Sequence, residues 1–497
     1  MKRESPASET LNVLFVAAEA DPLVKAGGLG DVAGSLPVAL SKLRDANVDV
    51  RVSIPYYNSI RRKNLRFDKV GDFEVRSLNG MVAGEVFSTL VSGVTFYLIS
   101  GEPITRLEET YSADFKSDAE KFIFFSLACL KLPVILNWRC DILHAHDWHT
   151  AVAIHQLKSD HHPSVNLAST RTVLTMHNLP FMGTGSEEAL ANFNIKPSHN
   201  KNLPIWARTL PLPMGLASAD SIVAVSPTYA REIMTPEFGC DLQGFLQTRQ
   251  SKISGILNGI DVESWDPGSD AYLSTNFDAQ NLDARLNNKR TLLKEFQLDF
   301  DEFTPLVILI SRLDRQKGID IALEGLRMIT DCPWQAILLG TGDKRLEQDC
   351  KSLEVDMPNR VRAAITFDAS LSRRMYAGAD ILMMPSRYEP CGLSQMIAMR
   401  YGCIPVARAT GGLLDTITDF KSSPSGNGFL FPRIDPRSFA QSMRRALDAF
   451  AEKDTWCTMQ TNAMAQDFSW QKSAEEYLRL YHNLINSNKR GKNEPDA

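Results

Sequence analysis

At 497 residues with 44% apolar side chains, the chain exceeds one hydrophobic core, since cores stop growing near about 250–300 residues. The net charge of -5 is spread without basic blocks, so composition gives no basis for nucleic-acid binding. The longest apolar stretch, FIFFSLACLKLPVIL, is broken by Lys131 and is too short to span ~30 Å of hydrocarbon, which argues against a membrane partner.

The opening MKRESPASET lacks the apolar core of a secretory leader. The eight cysteines contain no CxxC pair, so neither a disulfide framework nor a zinc ribbon is expected. A cytoplasmic location follows as the expectation.

The first apolar run, LNVLFVAA, reads as a buried strand and leads into KAGGLGDVAGSLP, Lys25 to Pro37. Gly28, Gly30 and Ala33 formally fit the dinucleotide fingerprint. EADPLVKA intervenes after the strand, however, and the second strand, VDVRVSIPYYN, ends in Pro and Tyr where an acidic ribose ligand belongs. No GxxxxGK[ST] occurs, so a Walker loop is excluded. What remains is a backbone that glycines allow close to an oxygen-rich ligand, a helix start offering free N–H groups, and the charge of Lys25. The helix that follows has Val32, Leu36, Leu40 and Leu43 on one face, with Pro37 expected to kink or restart it.

DILHAH, TVLTMH and SIVAVS continue the alternation of buried strands and helical stretches that marks a parallel sheet wrapped by helices. His144 and His146 are expected on one face of a strand end, with Asp147 and His149 entering the next helix. Their spacing matches neither HExxH nor a finger pattern, so strand-end hydrogen bonding is preferred to a metal site. His177 and Asn178 close the next strand on the edge where ligands collect in open α/β sheets.

After the polar stretch WDPGSDAYLSTNFDAQN, a second set of strands begins: PLVILIS, WQAILLG, RAAITF, DILMMP and CIPVAR. Arg312 and Lys317 flank the end of the first, where an arginine fork and a lysine point charge suit a diphosphate. Glu389 follows the strand DILMMP, and Cys391, Gly392, Leu393 and Ser394 open a helix. A carboxylate there can stabilise positive charge on a sugar ring or hold its hydroxyls; a surface glutamate beside Arg387 is the bland alternative. Thr410, Gly411 and Gly412 form another glycine turn. The final helix carries Trp470, Ala474, Tyr477, Tyr481 and Leu484 on one stripe with Ser469 as its cap, followed by NSNKRGKNEPDA, which is expected to be disordered.

Taken together, KAGGLGD, HAHDWHTA, HNLPFMG, VSPTYAREI, GILNGIDVESWDP, SRLDRQKGID, GTGD, SRYEPCGLSQMIAMRYG and ATGGLLDT closely resemble the bacterial glycogen synthases and plant starch synthases. The resemblance runs from about Leu11 to Tyr481. It implies an α/β protein of two Rossmann-like, doubly wound domains facing across a cleft, the GT-B architecture. The implied divisions are 11–262 for the N-terminal, acceptor-side domain, 263–300 as a linker, 301–465 for the donor domain, and 466–488 as a helix packing back across the domains.

The resemblance also implies glucose transfer from ADP-glucose to the non-reducing end of an α-1,4-glucan, glycogen or a maltooligosaccharide, with retention and with no metal or other cofactor. Lys25, Gly27 and Gly28 then lie near the donor phosphates, with Asp31 and Glu19 toward the acceptor. Asp147 and His177 correspond to reaction-centre residues, followed by Asn178, and Asn258 lies in the domain-junction motif. Arg312 and Lys317 match the diphosphate pair, Glu389 the carboxylate beside the glucose, and Cys391, Gly392 and Leu393 the lining of that end.

Two features depart from the wider pattern. Ile397 stands where many retaining GT-B enzymes have a second glutamate, a departure the synthases share. The segment 183–219 lacks an SFLK-like stretch, which bears on the acceptor groove. The rivals are a GT-B glucosyltransferase using UDP-glucose or another acceptor, and an inactive glucan-binding homologue.

Overall fold

The computed structural model describes residues 10–491 except 45, 160–163, 422 and 424, with side chains described up to residue 487. Among them no helix is long and apolar enough to cross a membrane. The chain forms two compact units. The first comprises Met1–Val225, Ala230–Gly259 and Trp470–Ala497, the second Ser226–Tyr229 and Ile260–Ser469.

The first unit is built on nine strands: β1 (Leu11–Val16), β2 (Val48–Pro55), β3 (Asp68–Ser77), β4 (Gly80–Val91), β5 (Val94–Gly101), β6 (Ile142–His146), β7 (Arg171–Met176), β8 (Ser221–Ala224) and β9 (Ile253–Gly255). Their order is β3-β4-β5-β2-β1-β6-β7-β8-β9. From β5 to β9 every pairing is parallel, with Val13 opposite both Val50 and Ile142. These strands are the β-branched runs visible in the sequence, and helices covering both faces bury them. The antiparallel β3 and β4 extend one edge. Their alternating exposure hid them among polar residues.

The second unit holds β10 (Leu306–Ile310), β11 (Gln335–Leu339), β12 (Val361–Ala364), β13 (Ile381–Met384), β14 (Ile404–Arg408) and β15 (Phe429–Phe431). The sheet is fully parallel in the order β12-β11-β10-β13-β14-β15. This is the doubly wound order in which the direction of winding reverses beside the first strand. The reversal falls between β10 and β13, and in the first unit between β1 and β6. Ligands in such sheets bind outside the carboxyl ends at that switch point.

Three expectations are corrected. The stretch 263–300 carries the helix Arg285–Glu295 and belongs with the second unit. Leu292 and Leu293 are buried there, the Arg285 guanidinium donates to the Ala379 carbonyl, and Lys289 pairs with Asp380 at 2.8 Å. Helix Gly28–Ser41 is continuous through Pro37, so it does not restart there, although a proline nitrogen has no hydrogen to donate. The last helix spans Trp470–Gly491, so residues 486–491, expected to be disordered, continue it; the rest of that tail lies outside the described residues. Ser469 sits in a bridge to Ile260.

The aromatic stripe of the last helix packs on the first unit. Trp470, Ala474, Tyr477 and Tyr481 are buried, and Ser473 donates to the Leu257 carbonyl at 2.6 Å.

Candidate active site

In the first unit the glycine loop leaves β1 and enters helix Gly28–Ser41 with Gly27 as its N-cap. Glu19 lies beneath it, 1% exposed. Its carboxylate accepts from the amides of Ala26 and Gly27, the latter at 3.1 Å, and from the Tyr111 hydroxyl. Burial raises its pKa while these bonds oppose the rise. Glu19 therefore braces the loop from below. Lys25 stands above it, pairing with Asp31 at 2.5 Å on the partly exposed side; Asp31 in the first turn also suits the positive helix end.

Asp147 follows β6 directly, in the left-handed region at φ 55°. Its carboxylate accepts from the backbone N–H of His177 at 2.7 Å and from that of Asn178, so it ties the ends of β6 and β7 together. Burial pushes its pKa up to about 7 despite these bonds. Around it lie the histidines of HAHDWH, with His144 and His146 on neighbouring positions of one strand face, ring centroids 4.2 Å apart.

Both nitrogens of His144 are occupied, by the Tyr481 hydroxyl and the Thr175 hydroxyl at 2.7 Å each. His149 packs against the Trp148 ring and edge-on to Phe122. Among the described residues no group of three or more His, Cys, Asp or Glu is placed to hold a metal ion. The side-chain oxygens of Asn178 and Asn258 are buried without a protein partner, the condition of groups awaiting a ligand or water.

Burial holds His144, His149 and His177 down to about 3, and His146 well below its ordinary value. In the unfolded chain the same rings take up protons near pH 6.5. Each therefore removes about 1.4 kcal/mol of stability per pH unit below 6.5. Asp147 and Glu19, both raised in the folded state, work the other way, adding stability as pH falls toward about 4, but they are two groups against four. Thermal unfolding is expected to occur at lower temperature at pH 5 than at pH 7. An equal or higher midpoint at pH 5 would show that the histidines are not held neutral.

In the second unit, Arg312 follows β10 and is two-thirds exposed, its guanidinium 3.4 Å from Asp314. Asp314 accepts from the Lys317 amide at 3.0 Å and fixes the short 3₁₀ turn Arg315–Lys317. Gly318 then takes φ 68°, and a Cβ there would lie 2.0 Å from the Pro385 carbonyl oxygen. Only glycine lets the chain after β10 approach the chain after β13 this closely.

That approach brings Lys317 onto Glu389. The ammonium lies 2.9 and 2.7 Å from the two carboxylate oxygens, and Ser386 donates to one of them at 3.0 Å. Glu389 is 5% exposed, which overturns its reading as a surface glutamate; Arg387 instead forms a two-pronged pair with Asp320 at 2.8 and 2.7 Å. Gly412 donates to the Glu389 carbonyl at 3.1 Å, locking the Thr410-Gly411-Gly412 turn under the same loop. Gln395 holds the Cys391 and Gly392 carbonyls, so the segment before Leu393 is anchored from within.

Sequence reasoning singled out Lys317 and Glu389 but gave them separate tasks. It missed their ion pair, together with Ser386, Tyr111 and Arg408, which donates to the Ser386 carbonyl at 2.7 Å. Ser386, two residues after β13, carried a positional signal; Tyr111 carried none.

The starch synthase catalytic domain family matches residues 12–248, and glycosyl transferases group 1 matches residues 292–456. A glycogen synthase of Aromatoleum aromaticum is 40% identical over 487 residues, covering 95% of this chain and 96% of the relative. One from Bacillus cereus is 36% identical, covering 96% and 100% respectively.

Among solved structures, the catalytic domain of starch synthase IV from Arabidopsis thaliana bound to ADP and acarbose superposes with a TM-score of 0.87. It is 31% identical and covers 96% of this chain and 100% of that one. A sucrose-phosphate synthase from Thermosynechococcus elongatus, at 17% identity and a TM-score of 0.61 with 96% and 100% covered, shares the fold. Two doubly wound sheets, a cationic and carboxylate-bearing switch point, and relatives matched over nearly their whole length place the chain in the glycogen and starch synthase family of GT-B glycosyltransferases.

Proposed function

We propose that this protein transfers glucose from ADP-glucose to the non-reducing end of an α-1,4-glucan with retention at the sugar carbon. The observation that carries the reading is the Lys317–Glu389 pair at the reversal between β10 and β13. It sets a cation and a nearly buried carboxylate side by side where a nucleotide sugar presents diphosphate next to hexose. Lys317 and Arg312 are assigned the diphosphate, which they stabilise as it departs. Glu389 and His177 hold the glucose as positive charge develops on its ring. Lys25, Gly27 and Gly28 offer further charge and amides to the donor, as do the turns at Cys391–Leu393 and Thr410–Gly412. Asn178 and Asn258 contribute the unpartnered oxygens that sugar hydroxyls can meet.

The ADP in the Arabidopsis relative and its acarbose support both partners. Asp31 and Glu19 are assigned to shaping the loop on the acceptor side, Glu19 from beneath. Asp147 acts by holding the His177 turn. A cytoplasmic location is supported by eight free cysteines, five of them buried.

The cationic side chains perform the task that a divalent ion performs in other glycosyl transfers, and no metal step is needed. Supplying glycogen with ADP-glucose or UDP-glucose, and following nucleotide release with polymer growth, tests the reading. Faster growth with ADP-glucose is expected, with a rate nearly unchanged by EDTA. Preference for UDP-glucose contradicts the donor assignment, and strong EDTA inhibition restored by a divalent ion contradicts the metal-free one.

A further inference from the structure

His146, the last residue of β6, is fully buried and has no role assigned in the glucose transfer. Its backbone is fixed on both sides, the amide donating to the Thr150 hydroxyl at 2.7 Å and the carbonyl accepting from it at 2.8 Å. Its ring packs against both Phe15 and His144, with centroids at 4.1 and 4.2 Å and planes tilted by 33° and 36°. Nδ1 stands 3.0 Å from Nε2 of His177. Nε2 is buried with no hydrogen-bond partner.

Two neutral imidazoles at this distance share one proton, and there are two ways to place it. If His177 donated from Nε2, His146 would carry its own proton on Nε2, a buried N–H with nothing to receive it. The rings of Phe15 and His144 lie too nearly parallel to that of His146 to offer a π face to its edge, and both nitrogens of His144 are already bonded. If His146 donates from Nδ1, its Nε2 is left as a bare lone pair. Orphaned buried N–H groups are the rarer and costlier of the two conditions.

We infer that His146 is a positioning residue: its Nδ1–H bond to His177 Nε2 fixes His177 as the Nδ1–H tautomer. His177 Nδ1 is then a neutral donor, and no protein partner occupies it among the described residues. The His177 turn is thus held twice from the end of β6, through its backbone by Asp147 and through its ring by His146. A fixed N–H donor suits a sugar hydroxyl or an oxygen gaining negative charge, whereas the opposite tautomer presents only a lone pair. The inference rests on the reading that His177 meets the donor glucose.

Two measurements test it. Nitrogen-15 NMR of histidine-labelled enzyme, with His177 assigned through a His177→Gln variant, is expected to show a protonated Nδ1 and a bare Nε2 at His177. A His146→Leu variant should show a mixture of tautomers and a kcat lowered about tenfold to hundredfold, the range seen when an orienting partner is lost. A His146→Asn variant, whose amide nitrogen stands near the position of Nδ1, should recover most of the rate.

A wild-type His177 protonated at Nε2 overturns the inference. So does a Leu variant as fast as wild type, or an Asn variant as slow as the Leu variant. Should His146→Leu fail to fold, the wild-type spectrum and the Asn variant decide alone. Full activity in His177→Ala would instead refute the donor role of His177 and leave the tautomer result to stand by itself.

Discussion

Replacing Glu389 with glutamine is expected to lower kcat by about 10²–10³-fold, the loss that follows removal of one preorganised electrostatic partner, with the protein still folded. Glutamine keeps the shape and an oxygen for Ser386 but loses the charge proposed to face the sugar. Lys317, 20% exposed at its side chain, can turn toward water once its partner is neutral, so the stability cost is small.

Lys317→Ala differs in kind. It leaves a carboxylate whose side chain is 6% exposed with only Ser386 beside it. Removing one member of a buried pair costs about 3 kcal/mol or drives the survivor to take up a proton. Urea unfolding of the two single variants and the double variant separates these effects: the double variant should be more stable than Lys317→Ala alone. A folded Glu389→Gln enzyme with full kcat would remove Glu389 from the mechanism.

The second large effect concerns a residue with no side chain. Gly411 has φ 46°, and a Cβ added there would lie 1.9 Å from the Glu389 carbonyl oxygen. That atom is backbone and cannot rotate away, so Gly411→Ala must push apart the loops after β13 and β14. The left-handed conformation alone costs a non-glycine residue about 1–2 kcal/mol. The displaced loop carries Glu389, and a misplacement of about 1 Å can cost 10²-fold in rate. Both stability and kcat should therefore fall.

Gly93→Ala is the control. Its φ is 86°, but nothing lies within 4 Å of the added atom, so only the backbone penalty applies and the rate should hold. Equal behaviour of the two variants in kcat would show that the Gly411 turn does not position Glu389.

Much of this architecture is legible in the chain because parallel strands buried on both faces must be continuous Val, Ile and Leu runs, and LNVLFV or LVILI has no other economical reading. The strand ends were legible too, since His146, His177, Arg312 and Glu389 each follow such a run. The hairpin β3–β4 was not, because half of each strand faces solvent and its pattern merges with loop composition. Helix Arg285–Glu295 read as linker because three of its five buried side chains, Arg285, Asn288 and Lys289, are polar or charged, leaving only Leu292 and Leu293 as a buried apolar signal.

The pairing of Lys317 with Glu389 links positions 72 residues apart. No local pattern encodes it; it arises from the neighbouring places of β10 and β13 in the sheet. The left-handed turn at Asp147 was hidden for a different reason: aspartate tolerates that conformation, but the sequence does not announce it.

The central claim is most directly tested by resolving the products of one reaction, extension of a short maltooligosaccharide with ADP-glucose by the wild-type enzyme and by Glu389→Gln. The account predicts one ADP released for each glucose added, every new linkage α-1,4, and growth nearly abolished in the variant. ADP release without chain growth, or growth undiminished by the variant, would contradict it.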